Sequence, residues 1–313
     1  MFKTVVGSFP PKELPLEKAI QWAVDLQLDH HIDIVTDGEQ RTDMITYFSS
    51  LPGLGMKSSG PYIKSKILPY DEPQNHFKLE DLRFVKAYLR KKSKENVKVK
   101  VSITGPITLG FACACNRVEY YSGLTDNRIY SDFAAALKPL VEEVAKNDCY
   151  LQIDEPSLSI RVMEAAQSVK IVNQAISGLP NSIREENRLI VHVCGLLNAS
   201  LFAELVKLEA PILSLAFAAP KVRANLEVVS KSLLISHGKK LGVGCVSVQA
   251  RTREEVEGFD QVAERLQILK EKIGEEQIAL LHPDCGMRPT GEEAVEPILD
   301  LVVSSAKYFQ EKK

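Results

Sequence analysis

The sequence predicts a single α/β domain of the (β/α)8 barrel class, and three observations carry that prediction. Eight short, β-branched apolar runs punctuate the chain. Between them lie segments whose apolar residues recur at helical period, and strands alternating with helices in this way define a parallel barrel. The polar residues of chemical interest also obey the barrel's rule of position. Ser8, Glu39, Asp154, Glu155, His192, Cys194 and Cys285 fall at or just past the ends of apolar runs, whereas Lys3, Lys98 and Arg188 mark their starts. In this fold, active sites collect at the C-terminal ends of the strands.

In chain order, "KTVVGSFP" supplies the first strand, "LEKAIQWAVDLQL" the first helix and "IDIVTDGE" the second strand. Residues 49–77, "SSLPGLGMKSSGPYIKSKILPYDEPQNHF", are rich in Gly, Pro and Ser and read as an elaborated loop over the mouth after strand 2, not as a linker. The helix "LEDLRFVKAYLRKK" and the strand "VKVSITGP" follow, then "DFAAALKPLVEEVAKN" before "CYLQIDEP". Strands five to seven are "RLIVHVCG", "PILSLAFA" and "LGVGCVSV"; the helix "REEVEGFDQVAERLQILKEKI" leads to strand eight, "IALLHPDCG", and "EEAVEPILDLVVSSAKYF" closes the chain. No internal repeat interrupts this alternation, so residues 1–313 are expected to form one domain.

Composition narrows the partners. The 313 residues are 45% hydrophobic and 26% charged, with a formal charge of -2, which gives no field to recruit nucleic acid or an anionic membrane. No apolar run reaches the roughly 20 residues of a membrane span, and "MFKTVVGSFPP" lacks a signal peptide's apolar core. A cytoplasmic protein acting on small molecules or other proteins is expected. Six irregularly spaced cysteines in so long a chain suit thiols or metal ligands better than a disulfide framework.

The chemistry centres on "HVC". Side chains alternate on a strand, so His192 and Cys194 share a face. Alone the pair reads as a packed cysteine beside a hydrogen-bonded histidine. "HPDCG" adds Cys285 after the eighth strand, and a barrel turns it towards the same cavity. One nitrogen and two sulfurs suit zinc, and a catalytic zinc commonly has three protein ligands and an open position. Zinc lowers the pKa of a bound thiol and so favours thiol alkylation. "DGEQRTDM" sets Glu39 after Gly38, which permits close approach of a ligand to the backbone. "QIDEPSL" puts Asp154 and Glu155 ahead of Pro156, as a helix cap or as partners for a substrate amine. Cys113 and Cys115 of "FACAC" read as packed thiols, and His30, His31, His76 and His237 as solvated or hydrogen-bonded. His282 is set apart by its closeness to Cys285, whose loop it is expected to orient.

Together "GSFP", "DGEQRTDM", "ITGPIT", "QIDEP", "HVC" and "PDCG" resemble, in order and nearly end to end, the C-terminal catalytic barrel of cobalamin-independent methionine synthases. The resemblance implies a zinc site of His192, Cys194 and Cys285. It also implies homocysteine as methyl acceptor, held by Ser8, Glu39 and Asp154, the last two near its ammonium. Four departures accompany it. The N-terminal half of the long enzymes is absent, so a stand-alone core is expected. Ala112 stands where the family's pterin-stacking tryptophan is aligned, Ser247 where a histidine helps protonate the folate leaving group, and Ala216 where a glutamate is the fourth zinc ligand.

The reading that follows is a zinc-dependent methyltransferase making methionine from homocysteine, with Glu39 and Asp154 as the candidate catalytic pair. The expected donor is methylcobalamin or a methylated corrinoid protein, whose leaving group needs no protonation, in place of methyltetrahydrofolate. The zinc site is expected either with three protein ligands or with Cys245 from strand seven as a fourth. The alternatives are a methyltransferase or lyase acting on another thiol such as coenzyme M, and a non-catalytic thiol-binding barrel.

Overall fold

The structure is a computed structural model and describes residues 1–311. All eight expected runs form strands: β1 (Phe2–Lys3), β2 (Ile34–Val35), β3 (Lys98–Thr104), β4 (Tyr150–Asp154), β5 (Leu189–Val193), β6 (Ile212–Ala216), β7 (Lys240–Val246) and β8 (Ile278–Pro283). Each pairs in parallel with its neighbours in the order β1-β8-β7-β6-β5-β4-β3-β2. A parallel bridge between Thr4 and Ile34 closes the ring, and the Thr4 hydroxyl donates to the Ile34 carbonyl at 2.8 Å. Closure leaves no sheet edge exposed.

The pleat decides which side chains enter the barrel. Ile34, Tyr150, Ile190, Ile212 and Leu280 form a separate apolar cluster that plugs the bottom of the interior. Two residues further along the same strands, the inward positions turn polar: Gln152, His192, Ser214 and His282. Residues of the opposite parity, such as Val191, Leu213 and Val243, join the main core beneath the helices. The even-numbered phase of each of these strands therefore points into the barrel, and its upper half carries the chemistry.

β1 and β2 are far shorter than their apolar runs. Beyond the bridge at Thr4 the ladder stops, and the next carbonyls are taken by side chains in place of ladder partners. Lys100 Nζ donates to Val5 O, Gln152 Nε2 to Val6 O at 2.9 Å, and Thr36 Oγ1 to Gly7 O at 2.8 Å. Around the barrel, α1 (Leu16–Asp29), α2 (Phe77–Lys91) and α4 (Asn127–Ala145) match their expected positions to within a few residues at the ends, whereas α3 (Pro106–Asn116) is a helix that the periodicity did not predict. The helix expected from Arg253 starts only at Phe259. Arg253–Glu255 is a single 3-10 turn, and Gly258 caps the helix while its N–H donates to Gln261 Oε1 at 3.0 Å.

Residues 49–77 are not structureless. Leu54–Lys57 and Gly60–Ile63 pair as a hairpin, which Asn116 of α3 fixes by donating to Ser59 O and Pro61 O at 3.1 and 3.0 Å. None of the residues lining the cavity at the mouth comes from this segment. No helix among the described residues is long and apolar enough to cross a membrane.

Candidate active site at the barrel mouth

His192 ends β5, Cys194 is the first residue beyond it, and Cys285 follows β8. Their ligand atoms lie within 4.8 Å of one another, the group of His, Cys and acidic side chains in the described residues compact enough to hold a metal ion. His192 Nδ1 lies 2.8 Å from Ser214 Oγ, while its Nε2 is buried and has no hydrogen-bond partner. A buried ring nitrogen without a partner is costly unless something binds it. Cys285 is the acidic thiol of the pair. A hydrogen bond with Cys194 holds its pKa well below the ordinary thiol value, and His192 adds to the effect against the opposing cost of burial. One imidazole nitrogen and two sulfurs, one already inclined to ionise, fit zinc.

Ala216, where the resemblance implies a fourth ligand, stands in apolar surroundings. It clusters with Ala219 and Val222, and Cys194 packs against them. The loop after β6 is held by Asp284, whose carboxylate accepts from the N–H groups of Phe217, Ala218 and Ala219 at 2.5 to 3.1 Å. Cys245, the alternative fourth ligand, lies outside the group. It occupies an odd position on β7, is buried in the helix-facing core, and donates from Sγ to the His282 carbonyl at 3.6 Å. Burial raises its pKa to about 12.

Ser8, Glu39 and Asp154 line the same cavity as His192, Cys194 and Cys285. Glu39 sits in a left-handed conformation (φ 49°) directly after Gly38 (φ 72°), a turn that carries its carboxylate inward. There it meets a partner that no sequence motif pointed to: Lys78, from the first turn of α2, donates to Glu39 Oε1 at 2.7 Å with both residues buried. Asp154 accepts from Gln152 Nε2 at 2.7 Å, and burial lifts its pKa to about 6, with His192 acting in the opposite direction. Lys100, also inside the barrel, donates to Gln152 Oε1 at 2.7 Å, and desolvation lowers its pKa to about 7. A lysine in the inward phase of "KVKVSIT" is the signal that could have found it. Ser8 comes so close to Gly286 that a Cβ there would stand 2.3 Å from its hydroxyl. Arg288 lines the cavity too, and its Nη1 ties the loops after β8 and β2 together by donating to Glu39 O and Thr42 O, both at 3.2 Å.

Glu155 is not part of this cavity. Its carboxylate accepts from Ile107 N and Thr108 N at 2.9 Å and from Thr108 Oγ1 at 2.7 Å, capping α3 from the end of the neighbouring strand. Glu155→Ala is expected to cost about 2 kcal/mol, as stranded buried donors do, read as a lower urea midpoint at unchanged slope. Burial raises the folded pKa of Glu155 from 4.5 to about 7. Its contribution is therefore complete below pH 4.5 and lost as pH rises through about 7, so the stability gap between wild type and Glu155→Gln should narrow over that window.

Cys113 is packed as expected, but Cys115 is exposed on α3. His76 caps α2, accepting from Lys78 N at 3.1 Å, and His237 is bonded at the surface. His282 is an inward residue of β8, bonded to Ser214 and to the Pro283 carbonyl, and burial pushes its pKa down to about 3.

A parallel eight-stranded barrel with a His-Cys-Cys group and buried carboxylates at its mouth is an enzyme scaffold fitted for thiol chemistry. Comparison with known proteins makes this specific: the family described as "Cobalamin-independent synthase, Catalytic domain" matches residues 2–308. The chain belongs to that family, whose members are methyltransferases. Methionine synthase of Methanothermobacter marburgensis is 30% identical over 99% of this chain and 100% of its own length. That of Methanocaldococcus jannaschii is 32% identical over 92% of each chain. Among solved structures, a B12-independent methionine synthase from Shewanella sp. W3-18-1 superposes with a TM-score of 0.77 at 21% identity, covering 99% of this chain and 98% of that one.

Proposed function

We propose that this chain transfers a methyl group to the thiol of homocysteine to form methionine, with His192, Cys194 and Cys285 holding zinc. The observation that carries the reading is the buried, unpartnered Nε2 of His192 beside two thiols, at the mouth of a barrel of this family. Zinc bound there would supply the Lewis acidity that keeps a substrate thiol ionised at neutral pH. The protein's own groups do the rest. Asp154, whose charge is disfavoured by burial, gains a counter-ion when the ammonium of an amino-acid thiol enters. Glu39, already balanced by Lys78, shares that ammonium without carrying an unpaired buried charge. Ser8 offers its hydroxyl to the rest of the amino-acid backbone. Fixed on three strand ends, these groups align the thiol for in-line attack.

We infer a donor whose leaving group needs no proton, methylcobalamin or a methylated corrinoid protein. The support is local. Ala112 on α3 has no ring to stack on a pterin. Ser247 carries a hydroxyl that accepts from Gln249 N at 3.3 Å, and a serine does not serve as an acid at neutral pH. The family's description as cobalamin-independent points the other way, so both donors belong in one experiment. Zinc-loaded protein with homocysteine is expected to form methionine from methylcobalamin and not from methyltetrahydrofolate. Methionine from folate would overturn the donor assignment, and methionine from neither would redirect the search to a protein-bound corrinoid or another thiol.

A second reading places the same chemistry on a thiol such as coenzyme M. It has no ammonium for Glu39 and Asp154, so competition between the two thiols separates the readings. A non-catalytic thiol-binding barrel is motivated by the apolar cluster at Ala216, and a purified protein without zinc would favour it.

A further inference from the structure

We propose that Ser214 and His282 are positioning residues that fix His192 as its Nδ1–H tautomer, so that the Nε2 lone pair is the one offered to the metal. The inference rests on the zinc reading above and follows from the direction of three consecutive hydrogen bonds.

The chain of bonds starts at a group with no freedom of role. The Pro283 carbonyl can only accept, and His282 Nδ1 lies 2.7 Å from it, so this nitrogen carries the proton. In a neutral ring the other nitrogen then has only a lone pair, and His282 Nε2 must accept from Ser214 Oγ at 2.8 Å. The serine's one proton is spent on that bond, so its oxygen accepts from His192 Nδ1–H at 2.8 Å. His192 Nε2 is left as a lone pair, and it is the buried atom without a partner on the residue grouped with Cys194 and Cys285.

The barrel is shaped to permit this relay. His192 and Ser214 are register partners on β5 and β6, whereas His282 is two strands away from Ser214, with β7 between them. Ser214 reaches across because its register partner on β7 is Gly242. A Cβ at Gly242 would lie 3.1 Å from His282 Nε2 and 3.3 Å from Ser214 Cα, tight enough to push the ring out of line. Partners that orient a ligating histidine typically contribute about 10- to 100-fold in metal affinity.

The test measures zinc affinity by competition with a chromophoric chelator in wild type, Ser214→Ala, Ser214→Thr and His282→Phe. Ser214→Ala and His282→Phe are expected to bind zinc about 10- to 100-fold more weakly. Ser214→Thr, which keeps the hydroxyl, is expected to restore most of the loss. Nitrogen-15 NMR of the zinc-loaded, histidine-labelled wild type should show His192 protonated at Nδ1 and metallated at Nε2. Metallation at Nδ1, undiminished affinity in Ser214→Ala, or an equal defect in Ser214→Ala and Ser214→Thr would each overturn the relay. Wild type that binds no zinc would overturn the underlying site instead, which keeps the two failures apart.

Discussion

Cys285→Ser is expected to abolish methionine formation and to strip the protein of most of its zinc while leaving it folded. Cys285 is the more acidic of the two thiols, held so by Cys194 and His192, and it is the one readiest to act as a thiolate. A serine hydroxyl does not ionise near neutral pH and is a hard oxygen ligand in place of a soft sulfur one. Because Cys285 is only partly buried, beyond the end of β8, the change of one atom should leave the thermal midpoint nearly unmoved. Loss of activity with an intact midpoint assigns the defect to the site. Zinc content and rate both equal to wild type would sink the zinc-thiolate mechanism.

Lys78→Met should be the most destabilising single change among the polar residues near the cavity, by about 3–5 kcal/mol, because it leaves Glu39 as an uncompensated buried carboxylate. The pair is tight, with Nζ to Oε1 at 2.7 Å, and the ammonium also sits 3.8 Å from the Tyr47 ring centroid. Burial opposes charge on Lys78, yet its pKa is raised, with Glu39 as the principal stabilising partner. The double variant Lys78→Met with Glu39→Gln should recover much of the loss, since both charges leave together. Urea unfolding of the two singles and the double gives the coupling directly. A cost below about 1 kcal/mol for Lys78→Met would mean that Lys78 is not what makes the buried Glu39 tolerable.

How much of this was legible beforehand differs by residue, and the differences have a physical basis. All eight strands could be read because a parallel barrel buries both faces of each strand, which leaves short β-branched runs between amphipathic helices. The shared face of His192 and Cys194 could be read from the two-residue period, and the placing of Ser8, Glu39 and Asp154 from the rule that strand ends gather at one mouth. Cys245 shows where such reading stops. Its place on the strand next in the barrel suited a ligand, but the pleat's phase on β7 turns it towards the helices, and only barrel closure sets that phase. Glu155 likewise stands beside Asp154 yet caps a helix that begins 49 residues earlier in sequence, at Pro106.

By itself the sequence determined the barrel, the order of its strands and the collection of one imidazole, two thiols and two carboxylates at a common end. The patterns responsible are local, a period of two or of 3.6 residues, and survive without knowledge of neighbours. Only the tertiary structure decided that Lys78 neutralises Glu39, that Ala216 sits in an apolar cluster, and that Ser214 joins His192 to His282 across Gly242. The Lys78–Glu39, His192–Ser214 and Ser214–His282 contacts join residues 22 to 68 positions apart. Their existence depends on strand register and on the absence of one side chain, which no local periodicity encodes.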